Sequence, residues 1–231
     1  MNAVVSTITQ LLPAEIITTD PEQITLYSQD VFTVGPPICA VVRPRNIDEV
    51  QALVRACLER GTPIVTRGGG MSYTSGYIAS APDSVLIDMA NMDAIVNVNL
   101  EDRYVTVEAG CSWQKLHEHL APLGVRTAYW GTLSGRYATV GGGLSQNSIF
   151  WGSGQSGTAA DNVLSVSVVT GKGDLLETGS AAQQHAAPFT RHFGPDLTGV
   201  FLGDCGALGI KVRATLPLVP LAGAKSYTSF A

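Results

Sequence analysis

Apolar and polar positions between residues 38 and 67 follow two different periods, which together predict a strand, a helix and a second strand. Residues 38–42 form a short apolar run that is typical of a buried strand. The next apolar positions recur at the three- and four-residue spacing of one helix face. These positions are Val50, Leu53, Val54, Cys57 and Leu58. Residues 63–66 then predict a second strand that leads directly into a run of glycines.

The two ends of this helix carry residues that favour helix termini. Asn46 can cap the first turn, and Glu49, three residues later, completes a capping box. Gly61 stands where a residue in the left-handed conformation commonly ends a helix. We therefore expect the helix to begin just after Asn46 and to end just before Gly61.

Further along the chain, short apolar segments separated by Asn, Asp and Gly turns predict more strands. These segments are 85–89, 95–98, 105–108, 163–170, 175–178 and 209–219. We expect the first three to continue the same sheet, in a mixed or antiparallel arrangement. Ser112 is expected to cap a helix that carries Leu116 and Leu120. This order predicts an α+β fold with two lobes, 1–100 and 101–231, and a cleft between them.

Three consecutive glycines, Gly68 to Gly70, follow the second predicted strand. Without a Cβ atom they can take backbone conformations that are closed to other residues. They can therefore point several N–H groups into one concavity, and such a nest binds an anion. A flexible surface loop is the alternative interpretation. The anion that best fits a nest is a phosphate or pyrophosphate, so we expect a nucleotide-like cofactor.

Two further glycine-rich segments, 139–147 and 203–210, repeat this pattern. The first has small polar residues, Thr139, Ser145 and Asn147, around its three glycines. Taken alone, the first of these segments fits a tight crossing of two elements as well as a ligand contact, and the second is better explained by a turn with close packing. The three segments together favour a ligand site.

Composition and charge limit the kinds of partner. The chain has 231 residues, of which 45% are apolar and 14% charged, so it can bury a sizeable core. Its net charge is −5 and it has no run of Lys or Arg, which argues against a nucleic-acid surface. No window approaches the ~20 apolar residues of a membrane span, and no signal peptide is recognised in residues 1–14. We therefore expect a soluble cytoplasmic protein.

Several familiar motifs are absent or lack their required context. The four cysteines, Cys39, Cys57, Cys111 and Cys205, are widely spaced, so we expect buried thiols rather than disulfides or metal ligands. Residues 152–157 match G-x-G-x-x-G, but a strand rather than a helix follows them, so no Rossmann site is expected. His117 and His119 lie two apart on a predicted helix and cannot share a metal.

Five motifs together resemble the FAD-binding domain of the vanillyl-alcohol oxidase and p-cresol methylhydroxylase (PCMH-type) flavoprotein family. They occur in family order at residues 42–44, 63–72, 138–142, 157–163 and 201–210. The family includes D-lactate and glycolate dehydrogenases and cytokinin dehydrogenase. The resemblance implies a two-lobed domain with FAD extended between the lobes.

The resemblance also implies where the cofactor is held. Backbone amides from Gly68 to Ser72 would bind the pyrophosphate. The residues expected to bind the cofactor are Arg67, Gly68, Gly69, Gly70, Met71, Ser72, Gly76, Tyr77, Ser134, Thr139, Gly142, Ser145, Ile149, Ile210 and Lys211. Of these, Ile210 and Lys211 would meet the adenine. Several relatives have a histidine linked covalently to the flavin where this chain has Met71, so we expect non-covalent FAD.

As a function, the resemblance implies an FAD-linked oxidase or dehydrogenase that removes a hydride from a hydroxy compound. A 2-hydroxy acid such as glycolate or D-lactate is the first expected substrate class, and a phenolic alcohol the second. Family members usually continue into a cap domain that contacts the substrate. Residues 225–230 are expected to begin its first strand, so we expect a missing cap domain or a partner subunit, and no catalytic residue is assigned. A binding module without its own turnover is the alternative.

Overall fold

The computed structural model describes residues 2–129, 132–150, 152–223 and 228. Its first sheet has four strands in the order β1-β2-β4-β3. These strands are β1 (Ile17–Thr18), β2 (Ala40–Val42), β3 (Ile64–Arg67) and β4 (Val85–Asp88). Strands β2 and β3 both lie parallel to β4, and β1 pairs antiparallel with β2. The carboxyl ends of β3 and β4 therefore lie at the same edge of the sheet.

Three helices belong to this first half of the chain: α1 (Ala3–Leu11), α2 (Pro21–Tyr27) and α3 (Ile47–Glu59). Helix α3 begins at the predicted cap, where the Asn46 side chain accepts a hydrogen bond from the Glu49 amide. The Glu49 carboxylate accepts from the amide of Arg45, one residue earlier than a capping box requires. Gly61 follows the helix with a φ of 61°, in the predicted left-handed conformation.

The buried face of α3 contains most of the predicted residues. Val50, Leu53, Val54 and Cys57 are buried, but Leu58 is 57% exposed, so its predicted burial is wrong. Successive helix residues are separated by about 100°. The buried stripe is centred near Leu53 and Cys57, and Leu58 lies at its solvent edge.

The second sheet is antiparallel and has the strand order β5-β6-β10-β8-β9, with β7 paired to the end of β10. Its strands are β5 (Ile95–Asn99), β6 (Tyr104–Glu108), β7 (Val125–Thr127), β8 (Ser165–Val169), β9 (Leu175–Glu177) and β10 (Ile210–Pro220). The expectation that residues 85–108 continue one sheet is therefore wrong. Residues 85–88 lie within the first sheet, whereas β5 and β6 begin the second.

Four further α-helices of the described chain lie between strands of the second sheet, and short 3-10 turns occur in both halves of the chain. The α-helices are α4 (Trp113–Leu120), α5 (Val140–Ser145), α6 (Ser153–Ser156) and α7 (Leu197–Val200). Turns of 3-10 helix occur at Ala14–Ile16, Met89–Asn91, Ala121–Leu123, Ala159–Asn162 and Gly179–Ala182. Helix α4 has the predicted Ser112 cap and buries Leu116 and Leu120.

The two sheets share part of their apolar core. Val169, Ile210 and Val212 of the second sheet pack in one cluster with residues of α1 and α3, including Ile8 and Leu53. A division of the chain near residue 100 into two lobes therefore stays a prediction. Residues 225–230, predicted to begin a strand, lie outside the described residues except for Thr228. No helix of the described part is both long and apolar enough to cross a membrane.

We predict that Leu53→Ala lowers the free energy of unfolding by about 2–5 kcal/mol, because it leaves a cavity under α3. Leu53 is 0% exposed. Chemical denaturation measures the effect, and Leu58→Ala on the same helix is the matched control. The control should change the free energy by no more than about 0.5 kcal/mol. Equal losses in both variants would contradict the packing described for α3.

Candidate functional site

A cleft of about 740 Å³ lies where the glycine loop after β3, helix α5 and the turn before β10 meet. Its lining is mostly apolar and backbone, with a few hydroxyl and amide side chains. The residues that line it are Val31, Thr66, Gly68, Gly69, Gly70, Met71, Ser72, Tyr73, Thr74, Gly76, Tyr77, Met89, Ala109, Thr132, Leu133, Ser134, Ala138, Thr139, Gly141, Gly142, Gly143, Ser145, Gln146, Ser148, Ile149, Phe150, Cys205, Gly206, Gly209 and Lys211. All three glycine-rich segments thus border one cleft.

The first glycine segment requires glycine because the residues that lead into α5 come very close to it. A Cβ atom on Gly69 would overlap the carbonyl oxygen of Tyr137, and one on Gly68 would overlap the Thr139 hydroxyl. Gly70 has a φ of 65°, which an L-residue rarely adopts. These contacts hold the loop against the segment that leads into α5, so it is a packed wall of the cleft rather than a free surface loop.

The amides of this loop are available to a ligand. Within the described chain, the N–H groups of Gly69, Gly70, Met71 and Ser72 donate no hydrogen bond to protein. The Tyr77 hydroxyl donates to the Gly70 carbonyl at 2.9 Å, which fixes the loop from behind. A row of unpaired main-chain donors next to a concavity is the arrangement that binds phosphate oxygens.

The second glycine segment forms helix α5, which the sequence did not predict. The Thr139 hydroxyl caps it by accepting from the Gly142 amide at 3.2 Å. A Cβ atom on Gly141 would lie 2.7 Å from the Ala109 side chain, and one on Gly143 would lie 3.1 Å from the Trp113 indole. Glycine is therefore needed on two sides of this helix, because α5 packs closely against the end of β6 on one side and against α4 on the other.

The third glycine segment is fixed by a buried ion pair. Lys211 Nζ donates to Asp204 Oδ1 at 2.6 Å, and the two side chains are 3% and 2% exposed. Asp204 also accepts from the amides of Gly206 and Leu208, which closes the turn. Burial lowers the pKa of Lys211, and the contact with Asp204 opposes that shift. The pair thus holds the turn at the cleft wall.

The cleft carries very little formal charge. Among the described residues that line it, Lys211 is the only charged side chain, and Asp204 neutralises it. A smaller depression of about 380 Å³ lies elsewhere, beside Arg191, whose guanidinium pairs with Asp196. No group of His, Cys, Asp and Glu in the described chain could hold a metal ion. An anion in the main cleft would therefore be bound mainly by backbone dipoles.

Most of the residues predicted to bind the cofactor line this cleft. Gly68, Gly69, Gly70, Met71, Ser72, Gly76, Tyr77, Ser134, Thr139, Gly142, Ser145, Ile149 and Lys211 do so. Ile210 is 6% exposed and packs in the core between the sheets. Arg67 lies behind the glycine loop, with its guanidinium over the rings of Tyr27 and Tyr77. Helix α6, within the G-x-G-x-x-G match, does not border the cleft.

The structure adds cleft residues that sequence reasoning did not select. Gln146 lies within the second glycine segment, where its amide oxygen accepts from the Thr74 hydroxyl at 3.3 Å. Tyr73 and Leu133 stand at the cleft with 66% and 79% of their surface exposed. Cys205 also lines the cleft and is exposed, so its predicted burial is wrong. Cys57 and Cys111 are buried, which raises the pKa of each thiol, to about 12 and about 11.

This combination of a neutral cleft, glycine-rich walls and unpaired amides is typical of proteins that bind a nucleotide cofactor through its phosphates. Residues 38–179 match the family model of the FAD binding domain. The chain belongs to this FAD-binding family, and its cofactor is FAD.

Curated relatives and a solved structure agree with this assignment. The chain is 34% identical over 178 residues to the mitochondrial D-lactate dehydrogenase (cytochrome) of Arabidopsis thaliana, covering 77% of this chain and 30% of that protein. It is 30% identical over 181 residues to the glycolate oxidase subunit GlcD of Bacillus subtilis, covering 78% of this chain and 37% of that protein.

The fold matches that of p-cresol methylhydroxylase solved with substrate bound, with a TM-score of 0.82 at 21% identity. The match covers 96% of this chain and 44% of that one. This confirms the expected PCMH-type architecture. The chain thus spans roughly a third of the length of the curated relatives named above, at 30% and 37%.

The described residues fit FAD on two structural grounds. The unpaired amides of residues 69–72 supply donors for a diphosphate. The mostly apolar lining from Met71 to Ile149 suits an extended ligand with two flat ring systems.

We predict that Asp204→Asn and Lys211→Met each lower the free energy of unfolding by about 3–5 kcal/mol, because each leaves a buried partner without its counter-charge. The double variant should lower the free energy of unfolding by less than the sum of the two single-variant losses. Lys115→Met is the matched control, since Lys115 and Asp93 also lie 2.6 Å apart but are 45% and 48% exposed. Denaturant titration should show a loss of at most about 1 kcal/mol for it. If all three single variants lowered the free energy of unfolding by a similarly small amount, the burial of the Lys211–Asp204 pair would be contradicted.

Proposed function

We propose that this chain is the FAD-binding part of a flavin-dependent oxidoreductase that oxidises a 2-hydroxy acid. The relatives described above are named for D-lactate and for glycolate, which are both 2-hydroxy acids. The observation that carries the proposal is an apolar-lined cleft of about 740 Å³ bordered by residues 69–72, whose amides donate no hydrogen bond within the described chain. FAD, when bound, accepts the hydride that the substrate loses.

In this proposal the amides from Gly68 to Ser72 hold the diphosphate, with Gly76 and Tyr77 completing the loop around it. The remaining contacts come from the second and third glycine segments and their neighbours. The residues proposed to contact the rest of the cofactor are Ser134, Thr139, Gly142, Ser145, Ile149, Ile210 and Lys211. The buried Lys211–Asp204 pair supports the turn at the adenine end without adding net charge. Two lobes, 1–100 and 101–231, would then enclose the cofactor.

We further propose that the substrate contacts and the group that takes the substrate proton come from another domain or a partner subunit. This chain spans 30% and 37% of the two relatives. The mouth of its cleft is apolar and exposed, with Val31 at 75%, Tyr73 at 66%, Leu133 at 79% and Ile149 at 70%. An exposed apolar rim of this kind is typical of a surface that another protein segment covers.

The same observations favour a second candidate, an FAD-binding module that has no turnover by itself. In that case the chain binds FAD but does not reduce a dye when D-lactate or glycolate is supplied. Dye reduction by the purified chain separates this candidate from the first. A chain that oxidises a phenolic alcohol but no 2-hydroxy acid would contradict the proposed substrate class.

We predict that Gly69→Ala weakens FAD binding by at least about tenfold, because the added methyl group displaces the loop from the Tyr137 carbonyl. Gly154→Ala is the matched control. Its Cβ would have open space around it, and it belongs to the G-x-G-x-x-G match away from the cleft. Fluorescence titration of the apoprotein with FAD measures both variants, and thermal unfolding shows whether each is folded.

The control should bind FAD as the unsubstituted chain does. Failure of the unsubstituted chain to bind FAD would overturn the proposed function. If Gly154→Ala bound FAD more weakly and Gly69→Ala bound it normally, the FAD site would have to be assigned to residues 152–157 instead.

We also predict that the flavin is released when the FAD-loaded chain is precipitated with acid. Met71 lines the cleft and is 40% exposed, but a thioether is a poor group for a covalent link to the flavin ring. Absorbance of the supernatant measures the released flavin. Flavin that stays with the precipitated protein would contradict non-covalent binding.

A further inference from the structure

We propose that Arg67 is a positioning residue that places an unneutralised positive charge behind the glycine loop, where it attracts the diphosphate. An aromatic clamp, defined as the rings of Tyr27 and Tyr77, holds its guanidinium there. The inference rests on the proposed binding of FAD. In this arrangement the Arg67 side chain, which lies outside the cleft, adds a positive charge to the main-chain donors of residues 69–72.

The clamp is seen in the position of the guanidinium group between two rings. The Arg67 Cζ atom lies 4.4 Å from the ring centroid of Tyr27 and 5.3 Å from that of Tyr77. A guanidinium over an aromatic face is attracted by the ring quadrupole, most strongly when it is shielded from water. Stacking thus holds the charge without cancelling it.

Arg67 and Arg43 differ in their polar contacts. Arg43 pairs with the Asp88 carboxylate at 3.2 Å. Arg67 has no carboxylate within ion-pair distance in the described part of the chain, and its buried Nε atom has no acceptor there. The half-buried guanidinium therefore keeps its charge without a carboxylate partner in the described chain, and its buried Nε–H lacks an acceptor there, which is unfavourable.

Both rings of the clamp are fixed by hydrogen bonds. The Tyr27 hydroxyl donates to Asp88 Oδ2 at 2.9 Å and accepts from Arg43 at 2.9 Å. Asp88 is 2% exposed and ends β4, beside the end of β3. The Tyr77 hydroxyl donates to the Gly70 carbonyl. The clamp therefore joins helix α2, the first sheet and the glycine loop.

The guanidinium lies directly against the loop that borders the cleft. A Cβ atom on Gly70 would overlap it, so only glycine allows this approach. The cleft itself is neutral in net formal charge, and Arg67, which has no ion-pair partner in the described chain, supplies a positive charge close to its glycine wall that would attract a doubly charged diphosphate. Tyr27 lies outside the residues 38–179 that match the family model, so the N-terminal helix α2 contributes to the site from outside that match.

Two substitutions at Arg67 separate a role of its charge from a role of its packing. Arg67→Lys keeps the charge and loses the planar head, whereas Arg67→Gln keeps a planar head and loses the charge. If charge matters, Arg67→Gln should weaken FAD and ADP binding by about tenfold, and Arg67→Lys by less than about threefold. Riboflavin, which has no phosphate, should bind all three proteins with the same affinity.

A second pair of variants tests the clamp and remains informative if Arg67→Gln does not fold. Tyr27→Leu removes the ring, while Tyr27→Phe keeps the ring and removes the hydroxyl. We expect Tyr27→Leu to weaken FAD and ADP binding by about fivefold or more, with Tyr27→Phe closer to the unsubstituted chain. Titration calorimetry on the apoproteins gives the affinities, and thermal unfolding identifies variants that are only less stable.

The outcomes distinguish this inference from the proposed function. If the unsubstituted chain does not bind FAD, both are wrong. If it binds FAD and Arg67→Gln binds FAD and ADP with unchanged affinity, the inference alone is overturned. A weaker affinity in Arg67→Lys than in Arg67→Gln, or an equal loss for riboflavin, would assign Arg67 a packing role and likewise overturn it.

Discussion

The close approach of two stretches of main chain at Gly68 and Gly69 is the constraint on which the site depends. At this point the loop that follows β3 lies against two residues that lead into α5: Gly69 against the Tyr137 carbonyl and Gly68 against the Thr139 hydroxyl. A single added methyl group would separate the two stretches. Because these two stretches are in contact, the loop that follows β3 of the first sheet and the segment that leads into α5 form one cleft wall.

This constraint also explains how a protein with a net charge of −5 can hold an anionic cofactor. The cleft wall offers amide groups rather than cationic side chains, and its charged lining residue is internally paired. Main-chain dipoles in a packed wall are already oriented, so little reorganisation is needed when the ligand enters. Arg67, behind that wall, adds charge without occupying space in the cleft.

The regular elements were largely predictable because their signals are local. The period of apolar residues located α3, and its Asn46 cap and Gly61 end are found where expected. Helix α2 was missed although Asp20 and Pro21 are favourable residues at its start. Helix α5 was missed because its glycines disfavour a helix in isolation, and close packing of Gly141 against Ala109 and of Gly143 against Trp113 explains two of them.

The parts of the site that could be predicted are those that carry a sequence motif. The glycine segments indicated an anion site, and the structure brings all three to one cleft. The role of Asp204 depends on Lys211, and the role of Arg67 depends on Tyr27, forty residues away in sequence. Such pairings arise from tertiary packing, which no local pattern encodes.

Hydrogen exchange of the whole chain, measured by mass spectrometry with and without FAD, tests the central claim most directly. If main-chain amides hold the diphosphate, FAD should slow exchange in the peptide that contains residues 68–72 more than in any other. FAD binding that leaves this peptide unprotected, and protects residues 152–157 instead, would contradict the account.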